Sequence, residues 1–385
     1  MSEKSRRIFL SIIFLGCSQA WANSVWISLF DNSQVQRVVL TAYTGSLTAF
    51  GDGKLFTITK GKAVNVVLNG EKLVTADTDS LIGIFEQLTV TADTGATVRI
   101  RPVLPIMASR NYEATVCLSA DIDRIRMINR LDEKQYLAGV IEAETGAGRT
   151  EEFYKAFAVI CRTYLYGHAN RHESEGFHLC DETHCQSYKG KSRNDAKIPA
   201  AVEATGDKII VDSDSLPVLA AYHANCGGET ESAKNAWQIN MPYLIPVSDP
   251  YCSAFANARW EKTVSVDEWI RYLMKNGFKI DPAVVTDFSF HPAGRTPDYI
   301  VNTFALPFKQ IRNDWNLRST FFGVSLEDGQ IRLDGHGYGH GVGLCQEGAV
   351  EMGNRGYKYE EIIRFYYRNV RLVSASEIQI QIPQL

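Results

Sequence analysis

The sequence predicts an α+β fold: a β-rich N-terminal lobe, then helices and further strands forming a cleft. Three observations carry this. Residues 25–127 hold short β-branched runs separated by glycine turns. Near Asp132 the apolar spacing changes to a helical three-and-four pattern. Late in the chain, Gly335-His336-Gly337-Tyr338-Gly339-His340-Gly341-Val342-Gly343 alternates glycine with bulkier residues. Regular elements tolerate that poorly, whereas a close backbone approach requires it. At 385 residues, 45% hydrophobic and 22% charged, the chain can bury a large core. A net charge of −4 and the lack of a basic run argue against nucleic acid as a partner.

The chain opens on Lys4, Arg6 and Arg7, a short apolar core from Ile8 to Gly16, and Ala20-Trp21-Ala22. This is the layout of a signal peptide over residues 1–22, with cleavage before Asn23. The apolar run falls short of the ~20 residues of a spanning helix. Lipid attachment at Cys17 fits less well, because Phe14 and Leu15 suit such a site poorly. Export to the periplasm, cell envelope or medium follows, with no transmembrane segment in the mature chain, in a setting that permits disulfides. Removing Cys17 from eight cysteines leaves an odd number, so at least one thiol is free or metal-bound.

Within the first lobe, residues 23–127, strands are expected at Val25–Phe30, Val38–Thr41, Val64–Leu68, Thr89–Thr91 and Thr97–Ile100. Asp52-Gly53, Asn69-Gly70 and Thr94-Gly95 mark the turns. A second region, residues 128–372, follows, and then a tail, 373–385. Its first helix carries Leu137, Val140, Ile141 and Glu144 on one stripe and ends at Gly146 and Gly148. The next starts at Thr150, a good N-cap, with Phe153, Phe157, Ile160, Cys161, Tyr164 and Leu165 as its apolar face. Short helices are expected at Pro199–Ala204 and Val266–Gly277, strands at Lys208–Val211 and Val218–His223, and a last helix from Tyr359.

Four groups of residues could carry chemistry. Glu144 shares the apolar stripe, so it should face the interior or a cleft wall, whereas Glu142 falls off the stripe and should be solvated. Desolvation favours the protonated carboxyl, which suits a general acid near neutral pH. An ion pair, for example with Arg162, explains such a carboxylate equally well. Cys180, His184 and Cys185, with His172 (or His178) upstream, form a ligand set for tetrahedral Zn²⁺. A closed structural site suits that set better than a catalytic one. A Cys180–Cys185 disulfide is the alternative. Tyr222 to Glu231 reads as a strand leaving into a polar Gly-Gly turn, suited to a sugar or peptide or simply a loop exit; a Cys226–Cys252 pair would tie it to Asp249-Pro250-Tyr251-Cys252. His336 and His340, two registers apart in the glycine run, complete the set.

Together these segments resemble the SpoIID/LytB family of bacterial cell-wall proteins. Tyr136-Leu137-Ala138-Gly139-Val140-Ile141-Glu142-Ala143-Glu144 is similar to its Y-L-x-G-V-V-x-x-E motif, and Lys155 to Tyr164 to its K-A-Q-A-V-A-A-R-T-Y helix. Gly176 to Asp181, His184 to Tyr188, Tyr222 to Ser232, Leu317 to Phe322 and the glycine run follow in the family's order. The likeness spans Val25 to Val370. Three departures stand out: Thr145-Gly146 for Met-Pro, Leu344-Cys345 for Met-Ser, and Cys226 for a small residue.

The resemblance implies a peptidoglycan lytic transglycosylase in which Glu144 is a single acid and base. It implies cleavage of the N-acetylmuramic acid–N-acetylglucosamine bond of glycan stripped of stem peptides, leaving a 1,6-anhydro end. No second acid has motif support, unlike two-carboxylate hydrolases. Arg162, His223, Gln346, His340 and Tyr338 would contact the glycan or orient Glu144. No cofactor is needed for this chemistry. Some family members instead stimulate a cell-wall amidase, which would make the protein a glycan-binding modifier.

Overall fold

The computed structural model describes residues 24–279 and 287–385. The signal-peptide reading over 1–22, with Cys17, lies outside the described residues. Among the described residues no helix is long and apolar enough to cross a membrane. The protein is mixed α and β, and its chain packs into two compact units. The first takes in the described residues up to Gly148, then Tyr164–Asp207 and Ser374–Leu385; the second takes in Arg149–Thr163 and Lys208–Val373. The chain crosses between them more than once, which a linear division does not express.

The first unit is built on two sheets. Seven strands run in the order Leu179–Cys180, Ser24–Ser28, Ile125–Asp132, Thr115–Ala120, Gln87–Ala92, Ser46–Gly51 and Lys54–Thr59. Six run Arg110–Tyr112, Thr97–Leu104, Arg37–Thr44, Ala63–Asn69, Lys72–Ala76 and Leu81–Phe85. Every strand expected in this lobe overlaps one of these, although the first ends at Ser28, two residues short of Phe30. Alternation buries one face: in Ile125–Asp132, Ile125, Met127, Asn129 and Leu131 point inward. Gly53, Gly70 and Gly95 turn the chain at φ 85°, 60° and 78°.

Helix α1 (Glu133–Thr145) starts where Asp132 accepts the Lys134 N–H at 2.8 Å and Gln135 returns a bond to Asp132. Tyr136, Leu137, Val140 and Ile141 are fully buried. The helix stops at Gly146, φ 70°, a conformation a side chain would resist. Helix α2 (Glu151–His168) is capped by Thr150, whose hydroxyl accepts the Phe153 N–H at 3.3 Å. Helix α3 (Lys197–Ala204) completes the first unit.

The second unit carries α4 (Ala233–Trp237), α5 (Val266–Lys275), α6 (Phe308–Asp314), α7 (Gln346–Asn354) and α8 (Tyr359–Tyr366). Trp269, Tyr299, Phe308, Phe322 and Leu333 centre its aromatic core. Strand Gln330–His336 lies between Arg259–Ser265 and Phe322–Glu327 and delivers the glycine run. The run then pairs with the Tyr222 segment: Tyr222 lies beside Leu344 and His223 beside Cys345, in parallel.

One expectation fails here. Of the strand expected over Val218–His223, only Tyr222–His223 joins the ladder to the glycine run, while the Val218 N–H bonds the Ile210 carbonyl at 3.1 Å. The Ala221 carbonyl accepts the Leu344 N–H of that ladder at 3.0 Å and also the Tyr367 hydroxyl at 2.6 Å. The glycines also meet the protein's own chain. A Cβ on Gly335 would enter the Trp260 ring, one on Gly337 the backbone of Asn225–Gly227, and one on Gly343 the Ala221 carbonyl.

Candidate functional site

Glu144 sits in the last turn of α1, half-buried, and its Oε1 accepts the Ser187 N–H at 2.8 Å. Ser187 reaches it because its loop is drawn against the helix. Tyr136 donates its hydroxyl to Gln186 at 3.2 Å, and Tyr188 donates to the buried Asn129 at 3.0 Å. Gly139 makes room: a Cβ there would strike the Gly190 carbonyl and the Tyr188 ring. The glycine of the α1 motif thus serves the loop that orients Glu144.

Glu142 is not simply solvated, contrary to the expectation. Its carboxylate accepts the Ser192 hydroxyl at 2.8 Å, the Arg193 N–H at 2.8 Å, the Asn194 N–H at 3.0 Å and the Asn194 amide at 2.6 Å. Burial pushes its pKa up, but these donors together hold the carboxyl below its ordinary range. It is an anionic clasp for the 192–194 loop. Helical spacing revealed which side of α1 it occupies but not that a distant loop would close over it.

His172, Cys180, His184 and Cys185 converge, with one ligand atom of each within 4.8 Å of the others. Cys185 Sγ lies 3.5 Å from His172 Nε2 and 3.6 Å from His184 Nδ1, and Cys180 Sγ lies 3.8 Å from His184 Nδ1. A tetrahedral zinc with ~2.3 Å Zn–S and ~2.0 Å Zn–N bonds has sulfur–nitrogen edges of about 3.6 Å. Glu175 holds the far nitrogen of His172 at 2.6 Å, the carboxylate–histidine arrangement that orients metal ligands. Hydrogen bonding from Cys180 lowers the Cys185 thiol to about 7 against the opposing effect of burial, which favours the ligating thiolate. The loop is anchored where Cys180 pairs with Ser28 at the sheet edge.

His178, the alternative ligand, is used elsewhere. Its Nδ1 accepts the Trp26 N–H at 2.9 Å, and Nε2 lies 3.0 Å from the Pro383 carbonyl. Both ring nitrogens are thereby spent on structure, and burial lowers its pKa.

The other candidate residues belong to the second unit. His223 is buried, with Nδ1 3.1 Å from the Val342 carbonyl and Nε2 without a hydrogen-bond partner among the described residues. Burial, with His340 next, lowers its pKa well below the usual histidine value. His340 lies tilted against His223 and Trp237, at 5.5 and 5.1 Å between ring centres, and burial pushes its pKa down to about 4. Both rings are neutral at neutral pH and act as hydrogen-bond partners rather than charges. Tyr338 is exposed, with its backbone paired to Asn225, and Gln346 opens α7 half-buried. Arg162 is fully buried and donates to the Lys208 carbonyl at 3.3 Å.

Ser187, Trp237 and Arg295 were missed by the sequence reading. Arg295 donates to the carbonyls of Glu229 and Cys226, each at 2.7 Å, and a Cβ on Gly341 would strike its guanidinium. No local pattern around Ala293-Gly294-Arg295 signals this role.

The SpoIID family model, described as Stage II sporulation protein, matches residues 121–211, the stretch holding α1, α2 and the Cys/His loop. An uncharacterized protein of Brachyspira hyodysenteriae (strain ATCC 49526 / WA1) is 30% identical over 261 residues, 66% of this chain and 70% of its own length. Stage II sporulation protein D of Bacillus subtilis (strain 168) is 27% identical over 289 residues, 70% of this chain and 83% of its own length. The amidase enhancer of the same strain is 26% identical over 294 residues, 62% of this chain, but the match spans only 40% of that longer protein. These matches set the chain among proteins related to stage II sporulation protein D. It belongs to the SpoIID family.

Proposed function

We propose that this protein is an exported lytic transglycosylase of bacterial cell-wall peptidoglycan, with Glu144 as its single acid and base. The placement of Glu144 supports this reading: it sits half-buried in the last turn of α1 with its Oε1 held by the Ser187 N–H at 2.8 Å. Protonated Glu144 donates to the oxygen joining N-acetylmuramic acid to N-acetylglucosamine, and the C1–O bond breaks. The carboxylate then takes the proton of the muramoyl C6 hydroxyl as that oxygen bonds to C1. Glu144 ends protonated, no water is consumed, and a 1,6-anhydro end remains.

His223, His340, Tyr338 and Gln346 would bind glycan as neutral hydrogen-bonding or stacking groups, and buried Arg162 would be a positioning residue. Zinc fits His172, Cys180, His184 and Cys185. There it would hold the loop carrying Ser187 and leave the proton transfers to Glu144. The test is product analysis on peptide-free glycan: wild type releases anhydro-ended fragments and Glu144→Gln does not. Release at the wild-type rate by that variant would sink the assignment.

The relative named amidase enhancer favours a second reading, a glycan-binding modifier of an amidase. A modifier binds glycan, leaves strands intact, and raises amidase turnover equally well as Glu144→Gln.

A further inference from the structure

Three thiols and a carboxylate meet in the second unit, beneath the His223 and Gln346 segments. Cys226, Asp249, Cys252 and Cys345 each place a ligand atom within 4.8 Å of the other three. All four are essentially inaccessible, at 0%, 1%, 0% and 0% exposure. Cys226 Sγ lies 3.4 Å from Cys252 Sγ and 3.2 Å from Asp249 Oδ2. Two of the three departures from the family motifs, Cys226 and Cys345, therefore lie in this one cluster.

Backbone N–H groups converge on this cluster. Cys345 Sγ is the N-cap of α7: it accepts the Gly348 N–H at 3.4 Å and the Cys226 N–H at 3.3 Å. Cys252 Sγ is approached by the N–H groups of Gly227 and Gly228. Helix N-termini and backbone N–H groups stabilise thiolates. Asp249 accepts the Tyr251 N–H at 2.9 Å and the Tyr366 hydroxyl at 2.9 Å, while the Arg295 guanidinium is turned to the Glu229 and Cys226 carbonyls, each at 2.7 Å. Gly348 keeps this contact open, since a Cβ there would collide with both the Tyr366 hydroxyl and the Asp249 carboxylate. A carboxylate buried among three thiols stays ionised at lower cost when a cation joins them.

We infer that Cys226, Asp249, Cys252 and Cys345 form a second metal site that takes zinc. Tetrahedral coordination at ~2.3 Å Zn–S and ~2.0 Å Zn–O puts ligand atoms about 3.5–3.8 Å apart, close to what is found. Three thiolates select a soft or borderline ion, and four protein ligands leave no open position, so the site is structural. A Cys226–Cys252 disulfide explains less. It would draw those sulfurs to ~2.05 Å and leave Cys345, Asp249 and the inward N–H groups without a cation to serve. Zinc here would clamp the turn after Tyr222–His223, the 249–252 turn and the start of α7. That fixes the glycine run against the His223 segment.

Metal content per chain and thiol state of the full mature protein test this. Wild type carries one more zinc than Cys345→Ser. A folded Cys185→Ser chain, which lacks a ligand of the other cluster, still retains one zinc. Cys226, Cys252 and Cys345 resist alkylation in the native protein, and all three react once it is unfolded with chelator and no reductant. Equal zinc in wild type and Cys345→Ser, no zinc in folded Cys185→Ser, or a Cys226–Cys252 crosslinked peptide from unreduced protein would each overturn it. The second and third readouts need no folded Cys345 variant.

Discussion

Replacing Glu144 by Gln removes a proton without removing a shape. The amide oxygen can still accept the Ser187 N–H that now lies 2.8 Å from Oε1, so the loop keeps its anchor. A charge-assisted bond becomes a neutral one, a loss of about 1 kcal/mol in stability. The chemical loss is larger. Positioned acid–base groups contribute ~10²–10⁴-fold to rate, and in the proposed mechanism one group serves both half-reactions. The expected drop is at least ~10³-fold, about 4 kcal/mol of barrier at ~1.36 kcal/mol per decade. The assay follows reducing and anhydro ends from peptide-free glycan over time, with circular dichroism and a urea melt as controls for folding. A folded Glu144→Gln protein that keeps even a tenth of wild-type turnover refutes the single-acid mechanism.

Glu142→Gln should do the opposite, costing about 1–3 kcal/mol in urea melts because four donors lose their anion, while folded protein still turns over. Its folded pKa is depressed, so its stabilisation is present above the ordinary carboxyl pKa and is lost as pH falls through the folded value; this acid sensitivity should be absent from Glu142→Gln. His340, pushed down to about 4, binds fewer protons folded than unfolded, so stability should decline as pH falls from about 6.5 toward 4. His340→Asn should flatten that part of a Tm–pH curve. Gly139→Ala should cost roughly 1–3 kcal/mol by overpacking against Tyr188 and Gly190, and should lower turnover by displacing Ser187. His178→Asn should leave zinc content unchanged while Cys185→Ser lowers it, read by metal analysis.

Local chemistry made much of the fold legible. Helices α1 and α2 are announced by caps at Asp132 and Thr150, by apolar stripes of helical period, and by glycines where α1 must stop. Each signal acts within a few residues, so each survives in the sequence. Helix α7 does not announce itself, because its start is buried in glycines and its cap is a cysteine sulfur. A strand over Val218–Ala221 was overread, since β-branched and apolar residues suit a strand but cannot show that Val218 will bond Ile210 while only Tyr222–His223 joins the glycine run.

The candidate site divides the same way. Sequence by itself supplied the strand-rich first lobe, the helical stripe that ends at Glu144 and a loop dense in His and Cys, because composition and periodicity encode them. Only the tertiary structure gave Glu142 its clasp, spent His178 on Trp26 and Pro383, and set Ser187 on Glu144. It also turned two scattered substitutions, Cys226 and Cys345, into neighbours of Asp249 and Cys252. Hydrogen bonds and metal-ligand sets join residues by distance in space, and residues 226 and 345 become neighbours only once the Tyr222 and Leu344 segments have paired.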